Sequence, residues 1–345
     1  EEADLTYSGL LIRSDFLEQT GMEIPTTIDE WTALFAKMKE NGVEYPLSLA
    51  GDNGMGGFFN SNVFSSAYGI SAGSFYKGED GKIAYGPYQD AYKDYLAQLN
   101  EWFEAGYINP DFTTQKESDV MSQAADDKVG TMFMHLYTYG AEYYMTTEKD
   151  HPEKAMVPAP VPTLNKGDEL PGLRDSSVYM GDYKYITADA KNPSACMALL
   201  DALYQEDIDR MLANGIEGVG YDMVDGVPVR RTVAPDADKE TLLSVAPEQW
   251  HTQEDRDLDY ILKYKYNKGS QDEALTLWKE QGSDQMLSKF ILFNSEESEV
   301  KKTYQTDIET YVKEMALKFI MGQESLDNFG TYQENLKNMH VEELT

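Results

Sequence analysis

The sequence predicts an α/β layered fold, and three observations lead to this prediction. Short apolar runs typical of strands alternate with amphipathic helical segments along the chain. Turn-rich connectors separate these segments at 51–57, 77–82, 163–172 and 234–238. No stretch approaches the roughly 18–20 consecutive apolar residues that a membrane-spanning helix requires. The 345 residues are enough for two compact domains or one large one.

The amino-terminal part of the chain predicts a strand followed by a capped helix. Gly9–Arg13 contains an apolar run that is too short for a helix. Thr27 and Glu30 have the spacing of a capping box, which marks the start of a helix. Apolar residues then recur at helical intervals until Gly42, which is expected to end the helix. These residues are Trp31, Leu34, Phe35 and Met38.

Two further amphipathic helices are predicted in the middle of the chain. The first covers Asp90–Glu104, ends at Gly106 and has a wide apolar face. That face consists of Tyr92, Tyr95, Leu96, Leu99, Trp102 and Phe103. The second helix follows Pro193 and extends to about Tyr204. The only cysteine, Cys196, lies on its apolar face and is interpreted as a small core residue, because nucleophilic cysteines need a basic, partly exposed setting.

The carboxy-terminal part predicts two more helices. One carries apolar residues at helical spacing and ends at Gly322, and a shorter one covers Tyr332–Met339. The apolar positions of the first are Ile308, Tyr311, Val312, Met315 and Phe319. Three other strand-like runs lie between the helices, at Gly130–His135, Ala155–Val161 and Val178–Thr187. A change of domain is predicted within 176–187.

The charge balance excludes one large class of partner. The chain has 29 Lys and Arg against 61 Asp and Glu, a formal net charge of −32. Nucleic-acid binding depends on clustered cations that displace counterions from phosphates, so no nucleic-acid partner is predicted. Binding to an anionic membrane surface is disfavoured for the same reason.

The usual catalytic and metal-binding signatures are missing from the sequence. A single cysteine excludes an intramolecular disulfide, a cysteine-based zinc site and a CxxC redox motif. The four histidines are scattered, and there is no HExxH, phosphate-binding loop or dinucleotide fingerprint. Neither a metal nor a cofactor is therefore predicted. Carboxylates that lie close together in sequence, as at 296–299, are interpreted as solvated surface.

Aromatic residues provide the main functional signal. The chain has 24 Tyr, 13 Phe and 4 Trp, and two clusters are predicted to lie in loops, at 56–60 and 135–140. Sugars present apolar C–H faces and hydroxyl groups, so a sugar site combines flat rings with hydrogen-bonding neighbours. The candidate ligand contacts in the two clusters are Phe59, Asn60, His135, Tyr137 and Tyr139. We expect Phe59, Asn60, Tyr137 and Tyr139 to project into one concavity; the alternative is that the rings pack inside the protein.

Five segments along the chain resemble one protein family when they are taken together. They are residues 9–17 (GLLIRSDFL), 24–31 (IPTTIDEW), 102–112 (WFEAGYINPDF), 215–221 (GIEGVGY) and 311–322 (YVKEMALKFIMG). In this order they resemble the extracellular solute-binding proteins of carbohydrate ABC importers, family 1, and in particular their lipoprotein branch. No single segment is decisive, but five in register make the resemblance fairly specific.

The resemblance implies a periplasmic-binding-protein-like α/β fold of type II, with two lobes joined by a hinge and the ligand held between them. It assigns residues 1–178 to lobe two, 179–255 to the hinge and a remnant of lobe one, and 256–345 to carboxy-terminal helices that return to lobe two. The chain is expected to be truncated at the amino terminus. The signal peptide, the lipid-bearing cysteine and the first part of lobe one would then be missing.

The resemblance also implies a binding protein rather than an enzyme. Such a protein captures a carbohydrate, here an oligosaccharide, and delivers it to the permease subunits of an ABC transporter. The full-length precursor would be an extracellular, cell-surface lipoprotein that meets the membrane only through its lipid anchor. Glu217 and Tyr221 are added as ligand contacts because their segment resembles one near the family's cleft, and Arg174 is added as a weaker candidate. The alternatives are a glycoside hydrolase with paired carboxylates, or a binder of a non-sugar solute such as a cation or peptide.

Overall fold

The structure is a computed structural model that describes most of the chain. The described residues are 6–50, 58, 62–78, 80–170, 173, 184–224, 226–230, 269–279, 285–287 and 291–345. The chain divides into two compact units. The larger unit comprises 6–176 and 268–345, and the smaller unit comprises 1–5 and 177–267. The assignment of these units to particular lobes of a binding protein stays a prediction.

The larger unit is built on a four-stranded mixed sheet. Its strands and those of a separate hairpin are β1 (Ser8–Arg13), β2 (Tyr45–Ser48), β3 (Phe75–Lys77), β4 (Ile83–Tyr85), β5 (Val129–His135) and β6 (Met156–Ala159). The sheet has the order β2-β5-β1-β6, and β3 pairs with β4 alone. Strand β5 runs parallel to β2 and antiparallel to β1, which is in turn antiparallel to β6.

These directions bring four chain segments to the same edge of the sheet. Because β2, β5 and β6 run one way and β1 runs the other, the ends of the first three lie beside the start of β1. In the register, Ser8 faces His135 and Leu10 faces Ala159. We call this edge of the sheet the carboxyl edge. It comprises the residues that follow β2, β5 and β6 and those that precede β1.

Most of the predicted strands are confirmed. The first begins one residue before the predicted Gly9, and the second begins one residue before the predicted Gly130. The third is shorter than expected, because it ends at Ala159. For the predicted strand Val178–Thr187, residues 178–183 lie outside the described part of the chain, and 184–187 form no strand.

Ten α-helices are present in the described part of the chain. They are α1 (Ser14–Thr20), α2 (Ile28–Glu40), α3 (Ala91–Glu104), α4 (Glu117–Ala125), α5 (Leu136–Thr138), α6 (Pro193–Ala202), α7 (Glu206–Asn214), α8 (Gln271–Lys279), α9 (Ser295–Ile320) and α10 (Phe329–Asn338). A π-helix, Tyr139–Glu148, continues directly from α5. Short 3₁₀ turns occur at Ser65–Tyr68, Gly86–Tyr88, Pro110–Thr113, Pro152–Lys154, Leu326–Asn328 and Val341–Glu343. Among the described residues, no helix is both long and apolar enough to cross a membrane.

Helix α2 begins at the predicted cap. The Thr27 hydroxyl accepts a hydrogen bond from the Glu30 backbone N–H at 3.2 Å. The Glu30 carboxylate does not complete the box on Thr27, because it accepts from the backbone N–H and the hydroxyl of Thr26, both at 2.8 Å. These two bonds hold the pKa of Glu30 below its usual range. The N-cap and the helix are thus confirmed, and only the return bond of Glu30 differs, because it goes to Thr26 instead of Thr27.

The core of the larger unit forms where α2, α3 and α9 bury their apolar faces. Five of the six predicted face residues of α3 are buried, namely Tyr92, Tyr95, Leu96, Leu99 and Trp102. The indole ring of Trp102 meets Phe35 and Phe64 edge-on, with both pairs of ring centroids 5.1 Å apart. Its N–H donates to the Thr32 hydroxyl at 2.9 Å, so this buried polar group is satisfied.

The smaller unit, described at 184–224 and 226–230, contains α6, α7 and an antiparallel hairpin of β7 (Tyr221–Val224) and β8 (Val227–Arg230). Helix α6 forms where predicted, but the interpretation of Cys196 as a core residue is wrong. Cys196 is half-buried, Leu199 is 64% exposed, and no residue of α6 is buried in the described structure. An apolar helix face is buried only where a second element covers it, and no described element covers this one.

Candidate functional site

The carboxyl edge includes the start of one of the two aromatic clusters predicted from the sequence. The cluster at 56–60 follows β2, and the cluster at 135–140 begins at the last residue of β5. These strands are parallel neighbours, so the chain leaves both of them at the same edge. Of the first cluster, only Phe58 lies within the described residues. In open α/β sheets ligands bind outside the carboxyl ends of the strands, which makes this edge the candidate site.

His135 is held in a defined orientation at this edge. Its ring stacks on Tyr7, with centroids 6.1 Å apart and planes inclined by 26°. Its Nδ1 atom accepts a hydrogen bond from the backbone N–H of Tyr137 at 3.1 Å and thereby caps α5. In the neutral ring the proton must then lie on Nε2. The half-buried ring therefore combines an aromatic face with one directed N–H group.

Tyr137 is the exposed aromatic residue of the second cluster. Its side chain is 66% exposed, although the residue lies between buried Leu136 and half-buried Thr138. The prediction of a loop here is wrong, because β5 leads directly into α5 and the π-helix. The cap made by His135 starts this helical segment, and such a contact does not produce a periodic apolar pattern in the sequence.

Tyr139 does not share the exposure of Tyr137. Its ring has no exposed surface and stacks on Tyr143 at 6.0 Å between centroids. Its hydroxyl donates to the Glu148 carboxylate and accepts from the Ser270 backbone N–H at 3.4 Å. Burial and the bond to Glu148 raise the pKa of the tyrosine, and burial also raises that of Glu148. Tyr139 therefore packs in the protein interior. The expectation that its ring faces a concavity is wrong.

Helix α8 covers the carboxyl edge closely on one side. The Gln271 amide donates to the Leu136 carbonyl at 2.6 Å, and a Cβ added to Gly140 would lie 2.1 Å from its nitrogen. At the other end of the helix, Trp278 donates to the Ala159 carbonyl at 3.0 Å. This helix was not predicted from the sequence. Its signal was the apolar spacing of Ala274, Leu275 and Trp278, which are all buried.

Phe59, Asn60 and Arg174 lie outside the described residues, but the described residues next to them are anchored. Phe58 is buried, with its carbonyl accepting from the Tyr95 hydroxyl at 2.8 Å. The Asn62 amide accepts from the Ala72 backbone N–H at 3.0 Å and donates to the Leu173 carbonyl at 3.1 Å. The roles of Phe59, Asn60 and Arg174 as ligand contacts stay predictions.

Glu217 and Tyr221 belong to the smaller unit. They lie at the two ends of one turn, in which the Gly218 backbone N–H donates to the Tyr221 carbonyl at 2.7 Å. Glu217 is exposed, whereas Tyr221 is 6% exposed at the start of β7. The turn thus brings these two residues together, and their role in ligand binding stays a prediction.

The opposite edge of the sheet carries a compact charge network. Arg13, at the end of β1, is 1% exposed and pairs with Asp15 at 2.7 Å and with Asp127 at 2.9 Å. Lys154 pairs with the same Asp127 oxygen at 2.9 Å. Burial alone would raise the pKa of Asp127, but the hydrogen bonds from Lys154 and Arg13 hold it below its usual range. Within the described residues, no group of three or more His, Cys, Asp or Glu could hold a metal ion.

Comparison of the chain with known sequences identifies its family. Residues 3–209 match the family described as bacterial extracellular solute-binding protein. The lipoprotein LipO of Bacillus subtilis is 23% identical over 234 residues, which are 65% of this chain and 46% of that protein. The chain therefore spans about half the length of this curated relative. The predicted truncation at the amino terminus stays a prediction.

Two solved structures share the fold over nearly the whole chain. An HMO-binding, ABC-transporter-associated solute-binding protein from Bifidobacterium longum infantis has a TM-score of 0.73 at 16% identity. The match covers 100% of this chain and 73% of that one. The S. pneumoniae substrate-binding protein FusA, solved as an EF-hand mutant with fructo-nystose, has a TM-score of 0.68 at 18% identity, covering 99% and 71% of the two chains.

These matches confirm the family resemblance found in the sequence and the periplasmic-binding-protein-like α/β fold class. They also confirm the class of a solute-binding protein rather than an enzyme, because the matched family consists of binding proteins. The family match alone covers more than half of the chain. The chain belongs to the family of bacterial extracellular solute-binding proteins.

Proposed function

We propose that this protein is the solute-binding component of a carbohydrate ABC importer. It captures an oligosaccharide outside the cell and delivers it to the permease subunits, and a lipid anchor on the full-length precursor holds it at the cell surface. The observation that carries the proposal is the 66% exposed ring of Tyr137 at the carboxyl edge. In a solute-binding fold, this is where a stacking residue for a sugar is needed.

The chemistry at the edge fits a carbohydrate. Tyr137 offers a flat apolar face for the C–H groups of a sugar ring, and its hydroxyl can donate or accept a hydrogen bond. His135 adds a polar aromatic ring whose orientation is fixed by its capping bond. Because the Tyr7 stack and the Tyr137 N–H fix the His135 ring, little side-chain entropy would be lost when a ligand binds.

The relatives support an oligosaccharide as the ligand class. One is described as HMO-binding, and another was solved with fructo-nystose. We further propose that Phe59, Asn60, Arg174, Glu217 and Tyr221 also contact the ligand.

Calorimetric titration of the full chain with a panel of oligosaccharides tests this proposal. For a sugar that binds, Tyr137→Ala should weaken binding about fivefold or more, because loss of a stacked ring costs on the order of 1 kcal/mol. The control is Tyr204→Ala, which removes a ring of similar exposure, 69%, in the smaller unit. This control should leave the affinity unchanged.

Three results would contradict the proposal. The first is that no sugar of the panel binds, and the second is that the two alanine variants weaken binding equally. The third is that the sugar is cleaved during the titration, as the alternative of a glycoside hydrolase predicts. Chromatography of the sugar recovered after each run separates cleavage from binding.

A further inference from the structure

A second concave site lies in the larger unit, away from the carboxyl edge. A cavity of about 440 Å³ opens between the β3–β4 hairpin, the start of α9 and the last three residues of the chain. Its volume falls in the range of small-molecule pockets, roughly 300–1,000 Å³. None of its lining residues belongs to β1, β2, β5 or β6. The cavity is therefore a separate site from the one proposed for the sugar.

The walls of this cavity are mainly apolar. The side chains that form them include Phe75, Ile83, Leu287, Ile291, Phe293 and Val300. The neighbouring Leu292 also lines the cavity and is 93% exposed, while Ile291 and Phe293 are 43% and 47% exposed. Three consecutive large apolar residues with this exposure are unusual in a folded protein, and a grouped apolar surface is typical of a binding site.

The charged groups at the rim differ in whether they already have a partner. The Nζ atom of Lys301 lies over the Phe293 ring, 4.5 Å from its centroid. Glu297 accepts from the Asn294 backbone N–H at 2.8 Å, and Glu343 lies 2.8 Å from Nδ1 of His340. Among the described residues, no side-chain partner is found for the carboxylate of Glu296. The rim therefore has three carboxylates and one ammonium group, and one carboxylate is available to a ligand.

The start of α9 does not offset this negative charge. The Asn294 side chain accepts from the backbone N–H groups of Glu296 and Glu297, both at 2.9 Å. These two bonds satisfy donors that an anionic ligand would otherwise use. The whole chain, at −32, also attracts cations and repels anions. The electrostatics at this cavity thus favour a positively charged ligand group.

We propose that this cavity binds a small molecule with an apolar, preferably aromatic, body and a protonated amine. The body fills the space between the β3–β4 hairpin and α9, and the ammonium group pairs with Glu296 at the rim. This inference does not depend on the carbohydrate proposal, because the two sites share no residue.

Three probes of equal size and different charge test the proposal on the full chain. They are 1-naphthylmethylamine, 1-naphthylmethanol and 1-naphthoate, titrated by ligand-observed NMR, which detects weak binding. The amine should bind saturably and most tightly, the alcohol less tightly and the carboxylate weakest. Added salt should reduce the difference between amine and alcohol, because exposed charges are screened.

Two kinds of variant locate the binding. Glu296→Gln should weaken amine binding about two- to fivefold, the range expected for an exposed ion pair, without affecting the alcohol. Its control is Glu299→Gln, in the same part of α9, where the carboxylate pairs with Lys302 and does not line the cavity. Val300→Phe and Ile83→Trp fill the cavity from α9 and from β4 and should each abolish binding of all three probes.

The proposal is overturned if no probe binds saturably or if 1-naphthoate binds as tightly as the amine. It is also overturned if Glu296→Gln and Glu299→Gln have the same effect on the amine. The melting midpoint of each variant shows whether it is folded, and the two cavity-filling variants lie on different elements, so failure of one leaves the other as the test. Sugar binding should be unchanged in all of them, which keeps this test separate from that of the carbohydrate site.

Discussion

Helices α3 and α6 were predicted from the same kind of sequence pattern, but they differ in how many of their residues are buried. Both have apolar residues at helical spacing, and both form within a few residues of the predicted bounds. Helix α3 buries five residues, including Trp102, between the helices of the larger unit. In the described structure, helix α6 buries none, and its Leu199 is 64% exposed.

The difference shows that an amphipathic pattern specifies a helix and a face but does not specify the partner. Helical spacing depends only on residues within a few positions of one another. Burial depends on whether another element, distant in sequence, presents an apolar surface of matching shape. The following predictions test how strongly the surroundings, rather than the local pattern, control the effect of a substitution.

The largest effect is expected for Trp102→Ala. The ring is fully buried against Phe35 and Phe64, and its N–H is bonded to Thr32. Its loss should lower the free energy of unfolding by about 3–5 kcal/mol, because a cavity remains in a core that cannot fully collapse. Urea unfolding followed by far-ultraviolet circular dichroism measures this. A loss below about 1 kcal/mol would contradict the packing described for α3.

A smaller loss is expected for Gly140→Ala. The added Cβ would lie 2.1 Å from the Gln271 amide nitrogen, so this side chain must move and give up its bond to the Leu136 carbonyl. We expect a loss of about 1–3 kcal/mol in the free energy of unfolding. The matched control is Gly330→Ala in α10, where no atom lies within 4 Å of the added Cβ.

The control substitution should raise stability by about 0.5–1 kcal/mol, because alanine is the better helix former. Equal effects of the two substitutions in urea unfolding would mean that Gly140 is not closely packed. Combining Gly140→Ala with Gln271→Ala should recover part of the loss, since the second change removes the clashing amide.

The pH dependence of stability should have opposite signs at Glu148 and Asp127. Burial raises the pKa of Glu148 above its ordinary 4.5, so the folded state binds its proton more tightly than the unfolded state. The stabilisation that Glu148 contributes is fully present below pH 4.5. It is lost as the pH rises through the pKa of this carboxyl in the folded state. Glu148→Gln should therefore gain stability relative to the wild type as the pH rises.

Asp127 behaves in the other way, because Lys154 and Arg13 keep its pKa below the ordinary 3.8. The stabilisation that Asp127 contributes is fully present above pH 3.8. It is lost as the pH falls through the lower pKa of this carboxyl in the folded state. Asp127→Asn should therefore be less stable than the wild type near neutral pH, and the difference should shrink in acid. Urea unfolding at a series of pH values measures both variants; slopes of the same sign would contradict this pair of predictions.

The smallest effect is expected for Leu199→Ala. Because this side chain is 64% exposed, its removal leaves no cavity, and the free energy of unfolding should change by less than about 0.5 kcal/mol. The same urea experiment as for Trp102→Ala measures it. A loss comparable to that of Trp102→Ala would mean that α6 is packed against a surface, and would remove the contrast with α3.

The local parts of the fold could be predicted well from the sequence. Thr27 and Gly42 bounded α2 correctly, and the strands β1 and β5 differ from the prediction by one residue. Helix α8 was missed because only its own short apolar spacing marked it. The sequence just before this helix has no clear helical or strand-like pattern, so no neighbouring signal supported it.

The candidate site was predicted only in part. The sequence singled out the segment that begins at His135, but it treated Tyr137 and Tyr139 as equivalent rings in a loop. The bond from the Tyr137 N–H to His135 starts a helix there, and the Glu148 carboxylate holds Tyr139 in the interior. Both contacts depend on how the chain turns after β5, which has no periodic pattern from which it could be inferred.

The sequence by itself determined the class of fold, the family and most helix and strand positions. These properties depend on local periodicity, caps and segments that occur in the family's order. Only the tertiary structure decided that the ends of β2 and β5 meet at one edge, that Tyr137 is exposed while Tyr139 is buried, and that no residue of α6 is buried in the described part of the chain. The physical reason is that exposure depends on contacts between residues far apart in the chain, such as Gln271 with Leu136, and local pattern contains no information about such pairs.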